Sequence, residues 1–130
     1  MKFDVLPGGS RSRLWVGLSD GTKFNIARWA TWSTDSRMNV LAGDFNGDGL
    51  TDIIKIDVPV SGMERGELWV GLSDGTKFNS ARWATWEINP QMKSLVGDFN
   101  GDGRTDVMKV DVPAGGTKHL GLWVGLSDGT

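Results

Sequence analysis

The chain has no cysteine, no tyrosine and a single histidine, His119, in 130 residues. Without cysteine there is neither a disulfide framework nor a thiolate metal site, and the redox compartment stays open. The lone histidine sits in a glycine-rich stretch with no copy elsewhere, which reads as a surface residue rather than a catalytic one. No apolar run approaches the ~20 residues that cross a bilayer, so membrane insertion is not expected. Positive charge is not in excess either. The net charge is −2 and the pI ≈ 5.3, which gives no basic stripe for nucleic acid. MKFDVLPGG at the N-terminus lacks the apolar region of a secretory signal peptide. Against these absences stand nineteen glycines and seven tryptophans. Many glycines imply many tight turns, and tryptophan without tyrosine implies a few positions copied repeatedly.

Copying is what the chain displays. LWVGLSDGT occurs at Leu14 to Thr22, Leu68 to Thr76 and Leu122 to Thr130, each 54 residues after the last. Between Leu14–Trp32 and Leu68–Trp86 one position differs, Ile26 against Ser80. A fixed period in this range signals a solenoid, a propeller or an array. It divides the chain into 1–22, 23–76 and 77–130. Each period predicts four short strands: Met38–Phe45, Thr51–Val58, Leu14–Ser19 and Phe24–Trp32 in their respective copies. In the second of these, Ile54, Ile56 and Val58 alternate with Lys55 and Asp57, a period of two that argues for strands, and no stretch reads as an amphipathic helix. Asp20-Gly21 and Asp74-Gly75 are hairpin turns by composition, because glycine accepts positive φ. Three connections vary: LPGGSRSR, PVSGMERGE (Pro59–Glu67) and PAGGTKHLG (Pro113–Gly121).

Four antiparallel strands per unit of this length is the pattern of a β-propeller blade. KFDV at Lys2–Val5 matches KIDV at Lys55–Val58, so the expected count is ten strands, about two and a half blades. Propellers close with about 4–8 blades. The fold class expected is therefore all-β, a propeller fragment that completes a closed ring by self-association, since open strand edges and an uncovered face invite partners.

GDFNGDGLTD (Gly43–Asp52) and GDFNGDGRTD (Gly97–Asp106) carry the densest chemistry. Loop positions one, three, five and nine are Asp44, Asn46, Asp48 and Asp52, and in the second copy Asp98, Asn100, Asp102 and Asp106. Position seven, Leu50 or Arg104, has a backbone carbonyl to offer. Hard oxygens in this number suit Ca²⁺ better than Mg²⁺. The loop begins like an EF-hand but lacks the Glu at position twelve, and its flanks are strands. The other reading of the same residues is a set of Asx-turns in a solvated acidic hairpin.

DFNGDGxTD, then a strand, a variable loop and a GLSDGT hairpin, resembles the FG-GAP/VCBS repeat of integrin α-subunit propellers and of bacterial and fungal integrin-like lectins. The resemblance covers essentially the whole chain. It implies a Ca²⁺ loop in each blade, sugar pockets between or beside neighbouring blades, and an extracellular or secreted setting. ARWATW, at Ala27–Trp32 and Ala81–Trp86, is the candidate glycan surface. Trp29, Trp32, Trp83 and Trp86 offer flat faces to a sugar, and Arg28, Arg82, Asn25 and Asn79 offer bonds to its hydroxyls. Strand alternation predicts opposite faces for Trp29 and Trp32. The competing reading makes these indoles packing between blades, and Trp15, Trp69 and Trp123 are read mainly that way. No Ser/His/Asp set recurs, and the paired carboxyls of a glycosidase are not apparent beyond those loops, so the expectation is a binding protein and not an enzyme. A self-assembling structural module without a ligand, or a protein-interaction propeller, are the alternatives.

Overall fold

The computed structural model describes residues 1–6, 11–33, 38–58, 64–88, 91–112 and 121–130. Most of the three variable connections, His119 included, lies outside the described residues. The strands are β1 (Lys2–Val5), β2 (Arg11–Ser19), β3 (Phe24–Ser33), β4 (Met38–Gly43), β5 (Asp52–Asp57), β6 (Glu64–Ser73), β7 (Phe78–Ile88), β8 (Lys93–Gly97), β9 (Asp106–Asp111) and β10 (Gly121–Gly125). No helix occurs among the described residues. The strands form three antiparallel sheets, none of them closed: β1-β2-β3, β4-β5-β6-β7 and β8-β9-β10. The all-β class read from the alternation is therefore what the chain adopts.

Neighbouring strands in sequence are neighbours in each sheet, because the turns between them are short and chemically specified. In the β2–β3 turn, Gly21 has φ 92°, the left-handed region that glycine enters at little cost. The Asp20 carboxylate closes that turn, accepting bonds from the Thr22 amide (2.9 Å), the Thr22 hydroxyl (2.7 Å) and the Lys23 amide (3.0 Å). Asp74 repeats the arrangement with Thr76 and Lys77, around Gly75. These bonds, from Thr22 and from Thr76 above all, pull both carboxyl groups down to about 2. A carboxyl whose folded pKa lies below its unfolded value stabilises the fold above the unfolded pKa and loses that contribution as pH falls through the folded one. Acid titration followed by circular dichroism is thus expected to show stability falling between pH about 4 and about 2. An Asp20→Asn/Asp74→Asn double variant should flatten that part of the curve; an unchanged curve would contradict the assignment.

The core lies between sheets. Ile54, Ile56, Leu68, Val70 and Ile88 of the second sheet pack on one side with Met92 and Val107 of the third-sheet region. On the other side Ile53 meets Leu14 and Trp32 of the first sheet, with Phe78 and Val40 alongside. The second sheet is buried on both faces, so even its polar positions are inside. Lys55 is 5% exposed. Its ammonium pairs with Asp57 at 2.7 Å, donates to the Ser33 carbonyl of β3 at 3.0 Å, and stands 6.0 Å from the centre of the Trp69 ring. Lys109 repeats this with Asp111 (2.9 Å), the Glu87 carbonyl (2.8 Å) and Trp123 (5.8 Å). A buried charge persists only when paired and hydrogen-bonded. Each lysine thereby clamps its sheet to the last strand of the preceding one.

Candidate functional site

Two regions hold the residues singled out by the sequence: the acidic loops, and the tryptophan faces between sheets. The acidic loops wrap tightly. Gly47 and Gly49 have φ 79° and 84°. They let the Asp44 carboxylate collect the amides of Gly47 (2.7 Å), Asp48 (3.1 Å) and Gly49 (2.8 Å). Asn46 and Asp48 bond each other, Nδ2 to Oδ2 at 2.8 Å, and the Asp48 Oδ1 accepts the Leu50 amide at 2.7 Å. Asp52 is fully buried and accepts amides from Phe45 (2.9 Å) and Ser73 (2.7 Å), so it ties the loop to β5 and to the end of β6. Burial pushes its carboxyl up, the two amides oppose this, and the charges of Asp48 and Asp44 push it further. The second loop repeats the scheme with Asp98, Asn100, Asp102 and a buried Asp106 bonded to the Phe99 and Ser127 amides.

The loops differ at position seven. Arg104 places Nη2 2.8 Å from Asp102 Oδ2 and Nη1 3.1 Å from the Asp128 carbonyl, whereas Leu50 is exposed. The guanidinium holds the Asp102 carboxyl down at about 2. The loops also touch: Asp44 and Thr105 exchange backbone and hydroxyl bonds, and Ser127 Oγ donates to the Phe45 carbonyl. As a donor set for a hard cation the residue types fit, all oxygen and three carboxylates per loop. As they are arranged, the oxygens are engaged by the loop's own amides. Among the described residues no group of three or more acidic, histidine or cysteine side chains converges on one point. The Asx-turn reading accounts for this geometry directly.

The tryptophans are sorted by a β-bulge. Leu14 pairs with Ala30 and Trp15 with Arg28, which leaves Trp29 without a partner; in the second copy Leu68 pairs with Ala84 and Trp69 with Arg82, which leaves Trp83 unpaired. One extra residue in a strand changes its facing parity and bends it. Strict alternation therefore fails here. Trp29 and Trp32 do not point to opposite faces; both are 8% exposed and both meet the second sheet. Trp29 stacks edge-on against Phe78 at 5.1 Å. Trp32 lies over Gly71, where an added Cβ would come within 3.1 Å of the ring, and its Nε1 donates to Ser80 Oγ at 2.8 Å. Trp86 lies over Gly125 in the same way, and with Trp83 lines a narrow cleft of ≈ 170 Å³ between the second and third sheets.

The polar partners expected for these indoles are elsewhere. Asn25 and Asn79 are bonded to Asp20 and Asp74 in the hairpin turns. Arg28 is exposed. Arg82 is paired with Glu67 at 2.8 Å, among residues on the face of β7 away from Trp83 and Trp86.

A different group comes together at the outer side of the second and third sheets. Trp86, Trp123, Arg65, Thr85, Glu87 and Lys109 line an open basin of ≈ 500 Å³. Trp123 is 61% exposed there. Trp123 lies on β10, an edge strand of its sheet, whereas Trp69 on β6 has β7 beside it. Glu67 also binds the Trp69 indole, Oε2 to Nε1 at 2.9 Å, while the residue 54 positions on is Gly121, which has no side chain to do so. Reading the tryptophans copy by copy misses this, because the signal lies in the residue two before the third tryptophan and in Arg65, inside a variable connection.

No candidate span among the described residues is a helix long and apolar enough to cross a membrane. Compared with known proteins, the chain matches no protein-family profile, no curated protein and no solved structure.

Proposed function

We propose that the chain is a carbohydrate-binding module of the β-propeller type, its sheets being blades, with the sugar held in the Trp86–Trp123 basin and the acidic loops taking Ca²⁺. The observation that carries the reading is the basin itself. A large apolar side chain left mostly uncovered beside a second indole marks a binding surface. A pyranose presents a C–H face that packs on Trp123, while its hydroxyls exchange bonds with Arg65 and Glu87 at the rim. The resemblance of the loop and hairpin motifs to propeller lectins points the same way. Trp29, Trp32 and Trp83 act as packing on this account, and Trp86 does both.

Calcium would be held by Asp44, Asn46, Asp48 and Asp52, with the Leu50 carbonyl, and by Asp98, Asn100, Asp102 and Asp106, with the Arg104 carbonyl. Its chemistry there would be charge neutralisation among the clustered carboxylates of each loop. The first loop is the stronger site, since Arg104 already neutralises Asp102 in the second.

The test is a glycan array followed by calorimetry in Ca²⁺ with the wild type and Trp123→Ala. The variant should lose at least about tenfold in affinity, about 1.4 kcal/mol, with its melting temperature almost unchanged because the ring is exposed. Binding by Trp123→Ala equal to that of the wild type, or no glycan bound by either, rejects the sugar site. Ca²⁺ should raise the melting temperature and EDTA reverse it. Identical melting in both rejects the calcium assignment.

A further inference from the structure

The three sheets stack through one contact used twice. In the first contact Leu14, Trp29 and Trp32 lie on Ile53, Phe78 and Ser80, over Gly71. In the second, Leu68, Val70, Trp83 and Trp86 lie toward Val107 and Gly125. Two faces of the stack are left outermost. On the third sheet, Leu95, Leu122, Val124 and Leu126 are exposed by 50%, 63%, 47% and 60%. They are the counterparts, 54 residues on, of Leu41, Leu68, Val70 and Leu72, all of which pack into the second contact. On the first sheet, Phe24 and Ile26 are each 69% exposed, beside Trp15 and Gly17. These are the counterparts of Phe78, Ser80, Trp69 and Gly71, the surface that receives the first sheet.

One outer face is thus a copy of the surface that docks inside the molecule, and the other a copy of the surface docked upon. We propose that the outer face of the third sheet packs on the outer face of the first sheet in a second copy of this chain, repeating the internal contact head to tail. The occupant is another copy because this complementarity is already realised twice within one chain, Leu14 against Ile53 beside Gly71, and Leu68 and Val70 toward Val107 beside Gly125. Patches of this kind, both apolar and both uncovered, mark interaction sites.

Ile26 fits the same junction. It is the single difference from the Leu68–Trp86 copy, and its counterpart Ser80 accepts the Trp32 indole N–H. The surface that β8–β10 offers to Ile26 is the exposed apolar row of Leu122, Val124 and Leu126. A serine there would be covered without a donor, at a cost; an isoleucine adds apolar area instead. Gly17 likewise meets only Phe24 of its own sheet, at 3.2 Å from an added Cβ. Contacts of this head-to-tail kind close into rings or run on as filaments. The inference concerns the sheet faces, whose named residues share only Val124 with the lining of the basin.

The experiment is sedimentation velocity on the full chain, with Leu122→Lys disabling one face and Ile26→Lys the other. Wild type should sediment above the 14.1 kDa of one chain. Each variant alone should sediment as a single chain, with wild-type circular dichroism. Mixed in equal amounts, the two should form a species of two chains and nothing larger, because one intact face of each kind remains. If either lysine variant melts early, Leu95→Gln and Phe24→Gln address the same faces. A single-chain wild type, even one that captures lipid vesicles or an unrelated protein, overturns the proposal. So does a variant that assembles like wild type, or a mixture that stays single-chain.

Discussion

Trp32→Ala should cost about 3–5 kcal/mol, the range for removing a buried tryptophan, and lower the melting temperature by roughly 10–20 °C. The ring is 8% exposed, and it fills the space above Gly71 that the glycine leaves for it. Neither sheet can collapse into the gap, because the backbones on both sides are held by their own ladders. Trp32→Phe separates the two parts of the effect. It keeps an aromatic ring between the sheets and removes the indole donor to Ser80, so it should cost about 1 kcal/mol for the bond plus a smaller packing term. Denaturant unfolding measures both. A Trp32→Ala variant as stable as wild type would mean that the first sheet is not docked on the second.

Asp52→Ala is expected to be of similar size, about 2–5 kcal/mol, for a different reason. Both carboxylate oxygens accept backbone amides, from Phe45 and from Ser73, in a place water does not reach. Truncation strands both donors, and each buried unsatisfied group costs about 1–3 kcal/mol. Asp52→Asn keeps one acceptor and turns an NH₂ toward the other amide, so it should recover less than half of the loss. Measured in EDTA, the effect isolates this strapping role from any contribution of calcium. If Asp52→Ala costs under about 0.5 kcal/mol, the level of an ordinary surface change, the strap is not structural.

Much of this was legible in the residues. The alternation of Ile54 and Ile56 with Lys55 and Asp57 places the two sets on opposite faces of β5, as found. Asp20-Gly21 and Asp74-Gly75 stand at the β2–β3 and β6–β7 turns, and Lys2–Val5 is a strand. The Leu14–Ser19 strand begins earlier, at Arg11, because β2 continues its ladder with the end of β3.

Two features were not legible, for physical reasons. The bulge at Trp29 and Trp83 is a property of two strands in register, so neither strand's pattern alone contains it. Alternation then assigns Trp29 and Trp32 to opposite faces, and the extra residue brings both to the same buried side. The burial of Lys55 and Lys109 is the second. Periodicity separates the faces of a strand but does not say what covers the polar one; here it is the preceding sheet, whose Ser33 and Glu87 carbonyls receive the ammonium groups. Within the candidate site the acidic loops were fully visible as residues. Their side chains' engagement with loop amides depends on φ at Gly47 and Gly49. The basin was not visible, because it forms where residues of two sheets, on β6, β7, β9 and β10, come together in space, and Gly121 in place of the glutamate is only one part of it.

The sugar site is tested most directly by the indole N–H resonances of the seven tryptophans, followed by ¹⁵N-correlated NMR as a glycan is titrated in Ca²⁺. The Trp123 and Trp86 signals should shift together and saturate, while that of Trp32, committed to Ser80, stays in place. No saturable shift at Trp123 with any glycan that the chain retains, or shifts confined to the buried indoles, would contradict the account.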